Sequence, residues 1–226
     1  MLKMLLLVSM LFSISLAKVS KAQIDRIGNI YKIGKSESAK DGTTFEKALS
    51  SIYLQESSAG MMVVGDKYED KYYYKHYNSI VYLDNKKSSY TEDGQIYFTY
   101  KNKYRKKVYV EKGVLKPLHK SSLGGFQIKL STAKAIIKKN KMKQYYYLLE
   151  NDTKLINKLL IDYKFSAKLA LKYLIMAYHE ASERKMWNPY FKSISRYNGG
   201  WKNVTYYTNV MNRMKTINEL ISLGKI

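Results

Sequence analysis

The chain has 226 residues, enough for one sizeable domain or for one domain with an insertion, and its apolar fraction of 46% is sufficient to bury a core. Its 40 Lys and Arg against 18 Asp and Glu give a net charge of +22, which favours an anionic partner or surface. There are 23 tyrosines and no cysteine, which excludes disulfides and thiol chemistry.

The N-terminus, MLKMLLLVSMLFSISLAKVSKA, has one early lysine, Lys3, followed by an uncharged, largely apolar run from Met4 to Leu16. That run is about 13 residues, short of the roughly 20 that a membrane span needs. Small-residue sites follow at Ser15-Leu16-Ala17 and Ser20-Lys21-Ala22. This is the layout of a secretory signal peptide over residues 1–22, and it predicts an exported protein of the periplasm or cell envelope. An uncleaved N-terminal anchor is the alternative. Cleavage after Ala22 removes Lys3, Lys18 and Lys21 and lowers the charge from +22 to +19; cleavage after Ala17 is the other option. No later segment is long and apolar enough to span, so no membrane span is expected once the leader is removed. Export also argues against a nucleic-acid partner.

Residues 23–41 are mixed in character and read as a loose surface segment. Thr43 and Glu46 form a T-x-x-E capping box, which predicts a helix running to about Ser57. On that helix Leu49, Ile52 and Tyr53 make an apolar stripe at i, i+3 and i+4, and Glu56 occupies i+7. A carboxylate on a buried stripe is costly when ionised, so partial burial favours its protonated form. A glutamic acid that keeps its proton near neutral pH can serve as a general acid.

The next sixty residues are crowded with Tyr and Lys. QIYFTYKN (residues 95–102) and KKVYVEKG (106–113) predict a hairpin, and NSIVYLD (78–84) suggests a third strand. Helices return at LSTAKAII, with Ser131 as the expected cap and Ala133, Ile136 and Ile137 facing inward. QYYYLLE and DTKLINKLLID read as further short helices, the second capped by Asp152. SAKLALKYLIMAYHEASERK is apolar on most sides up to Tyr178 and predicts a buried helix. Pro189 and Gly199-Gly200 punctuate the chain before a last long helix in NVTYYTNVMNRMKTINELISL.

Four stretches, taken in order, resemble the SLT-type lytic transglycosylases, the soluble goose-lysozyme-like enzymes that cleave bacterial peptidoglycan. They are Glu56-Ser57 at a helix end, Gly124-Gly125-Phe126-Gln127-Ile128 leading into a Thr-Ala helix, Ser166-Ala167 with Ala170 and Tyr173-Leu174, and Arg196-Tyr197-Asn198-Gly199-Gly200 before the final helix. The departures are a separation of 68 residues from Glu56 to Gly124 where about twenty is usual, Gly125-Phe126 in place of Leu-Met, and Ser166 and Ala170 in place of Asn and Gly. The resemblance implies a mainly α, lysozyme-like helical domain with a β-rich Tyr/Lys insertion, α+β overall. Residues 23–226 would form one domain, with the insertion at about 61–120.

The resemblance also implies an enzyme. Glu56 would protonate the glycosidic oxygen between N-acetylmuramic acid and N-acetylglucosamine, then take the proton from the muramyl C6 hydroxyl as it closes a 1,6-anhydro ring. The substrate's own N-acetyl group would assist in place of a second carboxylate. Ser57 would steady Glu56 or bond near the N-acetyl group, Gln127 and Asn198 would contact substrate, and Tyr197 would orient Glu56. No cofactor is implied, and the partners are peptidoglycan glycan strands and a cell-envelope or secretion apparatus. The Tyr/Lys segment would extend the glycan groove, its lysines meeting stem-peptide carboxylates. His76, His119 and His179 are scattered without ligand spacing, so no metal site is expected. Two rival readings remain. One is a hydrolytic muramidase, with Asp66, Glu69 or Asp70 supplying a second carboxylate; the other is a catalytically inactive basic wall-binding or nucleic-acid-binding module.

Overall fold

The computed structural model describes residues 19–60, 64–65, 89–90, 96–97, 99–101, 107–109 and 122–226. Most of the described chain is helical, so the mainly α expectation holds at that level. The apolar leader through Leu16 and the NSIVYLD segment lie outside the described residues. The chain divides into two compact units, one of Met1–Gln55 with Leu174–Ile226 and the other of Glu56–Tyr173, and the division falls inside two helices.

The first unit begins with a helix where the sequence reads as loose surface. Helix α1 (Lys21–Lys35) is closed by a reciprocal capping box: Gln23 N–H donates to Ser20 Oγ, and Ser20 N–H donates to Gln23 Oε1. Its buried residues, Ile27, Ile30 and Gly34, are spaced by three and four. Gly34 is required by a close approach. A Cβ there would stand 2.4 Å from Glu46 Cα.

Helix α2 spans Glu46–Ser57, and its first backbone bond, from Leu49 N–H, goes to Phe45 C=O. Thr43 therefore lies outside the cap. Its hydroxyl donates to Tyr178 Oη at 3.2 Å, and Tyr178 O–H donates in turn to the Asp41 carboxylate. The Tyr178 hydroxyl, followed by the Thr43 N–H, holds Asp41 below the usual carboxylate range. This chain of bonds ties the segment before α2 to helix α5 (Tyr163–Glu183). Within this unit Phe45 stacks on Tyr190 at 5.4 Å. Burial, then Tyr207 and Glu46, pushes the Tyr190 phenol up to about 12, so it stays neutral across the physiological range.

Helix α6 (Pro189–Tyr197) forms where the sequence shows only punctuation, because Pro189 reads as a breaker. It occupies the first helical turn, where the missing N–H costs nothing, behind an Asn188 whose side chain accepts from Phe191 N–H. Helix α7 (Val204–Ser222) follows, capped by Asn203 and packed on α6. It buries Tyr206, Val210, Met214, Ile217 and Leu220 at helical spacing.

In the second unit β1 (Val64–Gly65) pairs antiparallel with β6 (Ser122–Leu123), which pairs antiparallel with β7 (Ile128–Lys129). Between them in sequence, β2 (Ser89–Tyr90) pairs with β3 (Ile96–Tyr97), and β4 (Thr99–Lys101) pairs with β5 (Lys107–Tyr109). The β4–β5 pair lies within the two runs read as a hairpin.

Helix α3 (Leu130–Lys139) buries Ala133, Ile136 and Ile137 as expected, but Lys129 occupies the cap position and Ser131 is already inside the helix. A 3₁₀ helix spans Lys143–Leu148. Helix α4 (Asp152–Ile161) is capped by Asn151, which accepts from Lys154 N–H, one residue earlier than the expected Asp152. Asp152 instead forms an ion pair with Lys134 on α3.

Asp162 opens α5 by accepting from Phe165 N–H at 2.9 Å and pairs with Lys158 Nζ at 2.9 Å. Burial pushes its carboxyl up, but the bonds from Lys158 and Phe165 outweigh this and hold it below its ordinary 3.8. A depressed folded-state pKa means stability that is present above 3.8 and lost as the pH falls through the folded value. We therefore expect Asp162→Asn, which can still cap, to be less stable than wild type at neutral pH. The gap between their urea midpoints should close as the pH falls below 3.8. A gap that stays constant with pH would rule out the charge as its origin.

Candidate active site

Leu49, Ile52 and Tyr53 are almost wholly buried on α2, and Glu56, one turn further on the same stripe, is half-buried. The helix carries its carboxylate to the end of an apolar face and stops there. Three consecutive residues, Ser58 (φ 50°), Ala59 (φ 60°) and Gly60 (φ 84°), then take left-handed backbone. For Ser58 and Ala59 that conformation costs roughly 1–2 kcal/mol each. Such strain persists where neighbouring contacts over-determine it. Ser57 supplies one of these contacts: its side chain is fully buried, and Gly60 N–H donates to its Oγ at 2.8 Å.

The Ser57 hydroxyl is thus turned into the bend that follows Glu56. Ser57→Ala leaves a buried N–H without this acceptor, which costs about 1–3 kcal/mol. Chemical denaturation should register that loss. Ser57→Thr, which keeps the hydroxyl, should lose less; equal losses would mean that volume, not the hydrogen bond, matters.

Gln127 lies in the turn of the β6–β7 hairpin, residues 124–127. Its own φ is 51°, and both its backbone N–H (3.0 Å) and its Nε2 (2.9 Å) donate to Gly124 C=O. The side chain is half-buried and folded over its own turn. Because β6 also pairs with β1, the backbone connects the bend after Glu56, through β1 and β6, to this turn.

The second and third sequence stretches meet in this unit. Gly124 has φ 72°, and a Cβ there would lie 2.1 Å from Leu159 C=O and 3.1 Å from Ser166 Oγ. The Ser166 hydroxyl itself donates to Leu159 C=O at 3.0 Å. The hairpin turn, the end of α4 and the start of α5 are therefore locked at a single carbonyl. Sequence spacing gives no sign of this contact.

Tyr197 and Asn198 belong to the first unit. Tyr197 ends α6, is half-buried and stacks on Tyr206 with ring centroids 6.4 Å apart. Asn198 is exposed, and its backbone C=O accepts from the Asn203 side chain across the Gly199-Gly200 turn. Glu56, Ser57 and Gln127 thus fall in one unit and Tyr197 and Asn198 in the other.

Asp66, Glu69, Asp70, His76 and His119 lie outside the described residues. Among the described residues no group of three His, Cys, Asp or Glu could hold a metal ion, and no helix is long and apolar enough to cross a membrane. Compared with protein-family models, with curated proteins and with solved structures, the chain matches none.

Proposed function

We propose that this chain is an exported peptidoglycan lytic transglycosylase related to the SLT type, with Glu56 as its single acid and base. The observation that carries this reading is the half-buried Glu56 at the end of a buried helical stripe, followed at once by a bend held in left-handed backbone. Support also comes from the Gly124–Gln127 turn, which follows that bend through β1 and β6 and is packed against Ser166. Glu56, protonated, gives its proton to the leaving glycosidic oxygen. The substrate's N-acetyl group stabilises the charge at C1, and the ionised Glu56 takes the proton of the muramyl C6 hydroxyl as that oxygen closes on C1. Proton and bond count balance without a water. The mass of the released muropeptides tests the proposal, because an anhydro end is lighter by one water than a hydrolysed end.

The leader is part of the same proposal. Cleavage after Ala22 would remove Ser20, the side chain that caps α1, together with the first residues of the helix; cleavage after Ala17 keeps both. Only Lys3 is then lost, and the charge falls from +22 to +21. N-terminal sequencing of the exported protein should begin at Lys18. A chain beginning at Gln23 would contradict this.

A further inference from the structure

Trp187 is 75% exposed, an unusual placement for the largest apolar side chain. The backbone holds it there. Lys185 (φ 53°) and Asn188 (φ 47°) flank it in left-handed backbone. Lys185 N–H and Met186 N–H close the end of α5 onto Ser182 and Ala181 carbonyls, and Asn188 caps α6. Trp187 therefore stands on a short link fixed at both ends.

It lies against an aromatic group on a basic segment of the chain. The ring lies 5.9 Å from Phe191, and Phe191 lies 4.7 Å from Tyr207. Lys192 Nζ sits over Phe191 at 5.1 Å. Trp201, further along the chain, has the Arg196 guanidinium 4.6 Å and the Arg184 guanidinium, itself paired with Glu180, 5.9 Å from its ring. Val204, one helical turn before Tyr207, is 59% exposed. From Arg184 to Asn218 the sequence has seven Lys and Arg and no Asp or Glu.

We propose that Trp187, with the basic residues of this stretch, forms a docking surface for an anionic lipid bilayer. An exposed tryptophan on a segment rich in lysine and arginine matches both parts of such a surface, the apolar boundary and the negative headgroups. A sugar platform is the weaker fit. Stacked sugars need side-chain amides or carboxylates to meet their hydroxyls, and the asparagine adjacent to the ring, Asn188, is engaged in capping α6. An acidic side chain is absent from the whole stretch. The surface would hold the protein at the membrane face of the envelope, independently of whether Glu56 is catalytic.

The chain has two tryptophans, so each can be read separately. The protein from Lys18 onward, carrying Trp201→Phe, is mixed with phosphatidylglycerol vesicles and with phosphatidylcholine vesicles. The expected result is a blue-shifted Trp187 emission with phosphatidylglycerol alone, quenched when the lipid chains are brominated. In the otherwise native chain, Trp187→Ala should weaken vesicle flotation by about tenfold while the circular dichroism stays unchanged. Flotation that is unaffected by Trp187→Ala and shows no bromolipid quenching would reduce the effect to general charge and overturn the proposal. Trp187-dependent binding to lipid-free sacculi, to an acidic protein or to RNA, without vesicle binding, would overturn it in favour of that partner.

Discussion

Glu56→Gln should lower the rate of sacculus digestion by about a thousandfold while leaving the fold and sacculus binding in place. Glutamine keeps the size and can still accept and donate hydrogen bonds, but it cannot deliver a proton to the glycosidic oxygen or take one from the C6 hydroxyl. Both halves of the proposed reaction depend on this group, so no partial reaction should accumulate. Turbidity clearing measures the rate, and thermal melting checks the fold. Retention of more than a tenth of the activity would remove Glu56 from the mechanism.

Gly124→Ala should strongly destabilise the protein. The new Cβ would meet the Leu159 carbonyl oxygen at 2.1 Å, and backbone φ at this position is 72°. The left-handed conformation costs roughly 1–2 kcal/mol for a non-glycine residue, and forced overpacking adds roughly 1–3 more. The expected total is about 4 kcal/mol, or roughly a 10 °C fall in Tm for a chain of this size. Gly42→Ala provides the contrast. Its φ of 86° is also left-handed, but no atom lies within 4 Å of the added carbon, so only the conformational part should appear. Equal losses for the two variants would show that the contact with Leu159 is unimportant.

The sequence was most legible where one local rule acted alone. The stripe Leu49, Ile52 and Tyr53 located α2 and singled out Glu56 as the polar residue on an apolar face. The same periodicity gave α3, α4, α5 and α7. Caps were read one or two residues off because neighbouring Asn, Asp, Ser and Thr compete for the same role. Asn151 displaced Asp152, and Thr43 was drawn to Tyr178. Helix α1 lies in a stretch whose mixed composition hides its buried face of Ile27, Ile30 and Gly34, and Gly34 is there to let Glu46 approach. Helix α6 was missed because Pro189 both ends one pattern and starts the next. Of the candidate site, residue identities were legible and geometry was not. Neither the left-handed Ser58 and Ala59 nor the meeting of Gly124, Leu159 and Ser166 has a local signature, since each depends on contacts that only the folded chain creates.

The central claim is the chemistry at Glu56, and product mass tests it most directly. Purified sacculi digested by the wild-type protein should yield muropeptides ending in 1,6-anhydromuramic acid, each one water lighter than the reducing-end form. Muropeptides with reducing ends would contradict the account and make the protein a hydrolase.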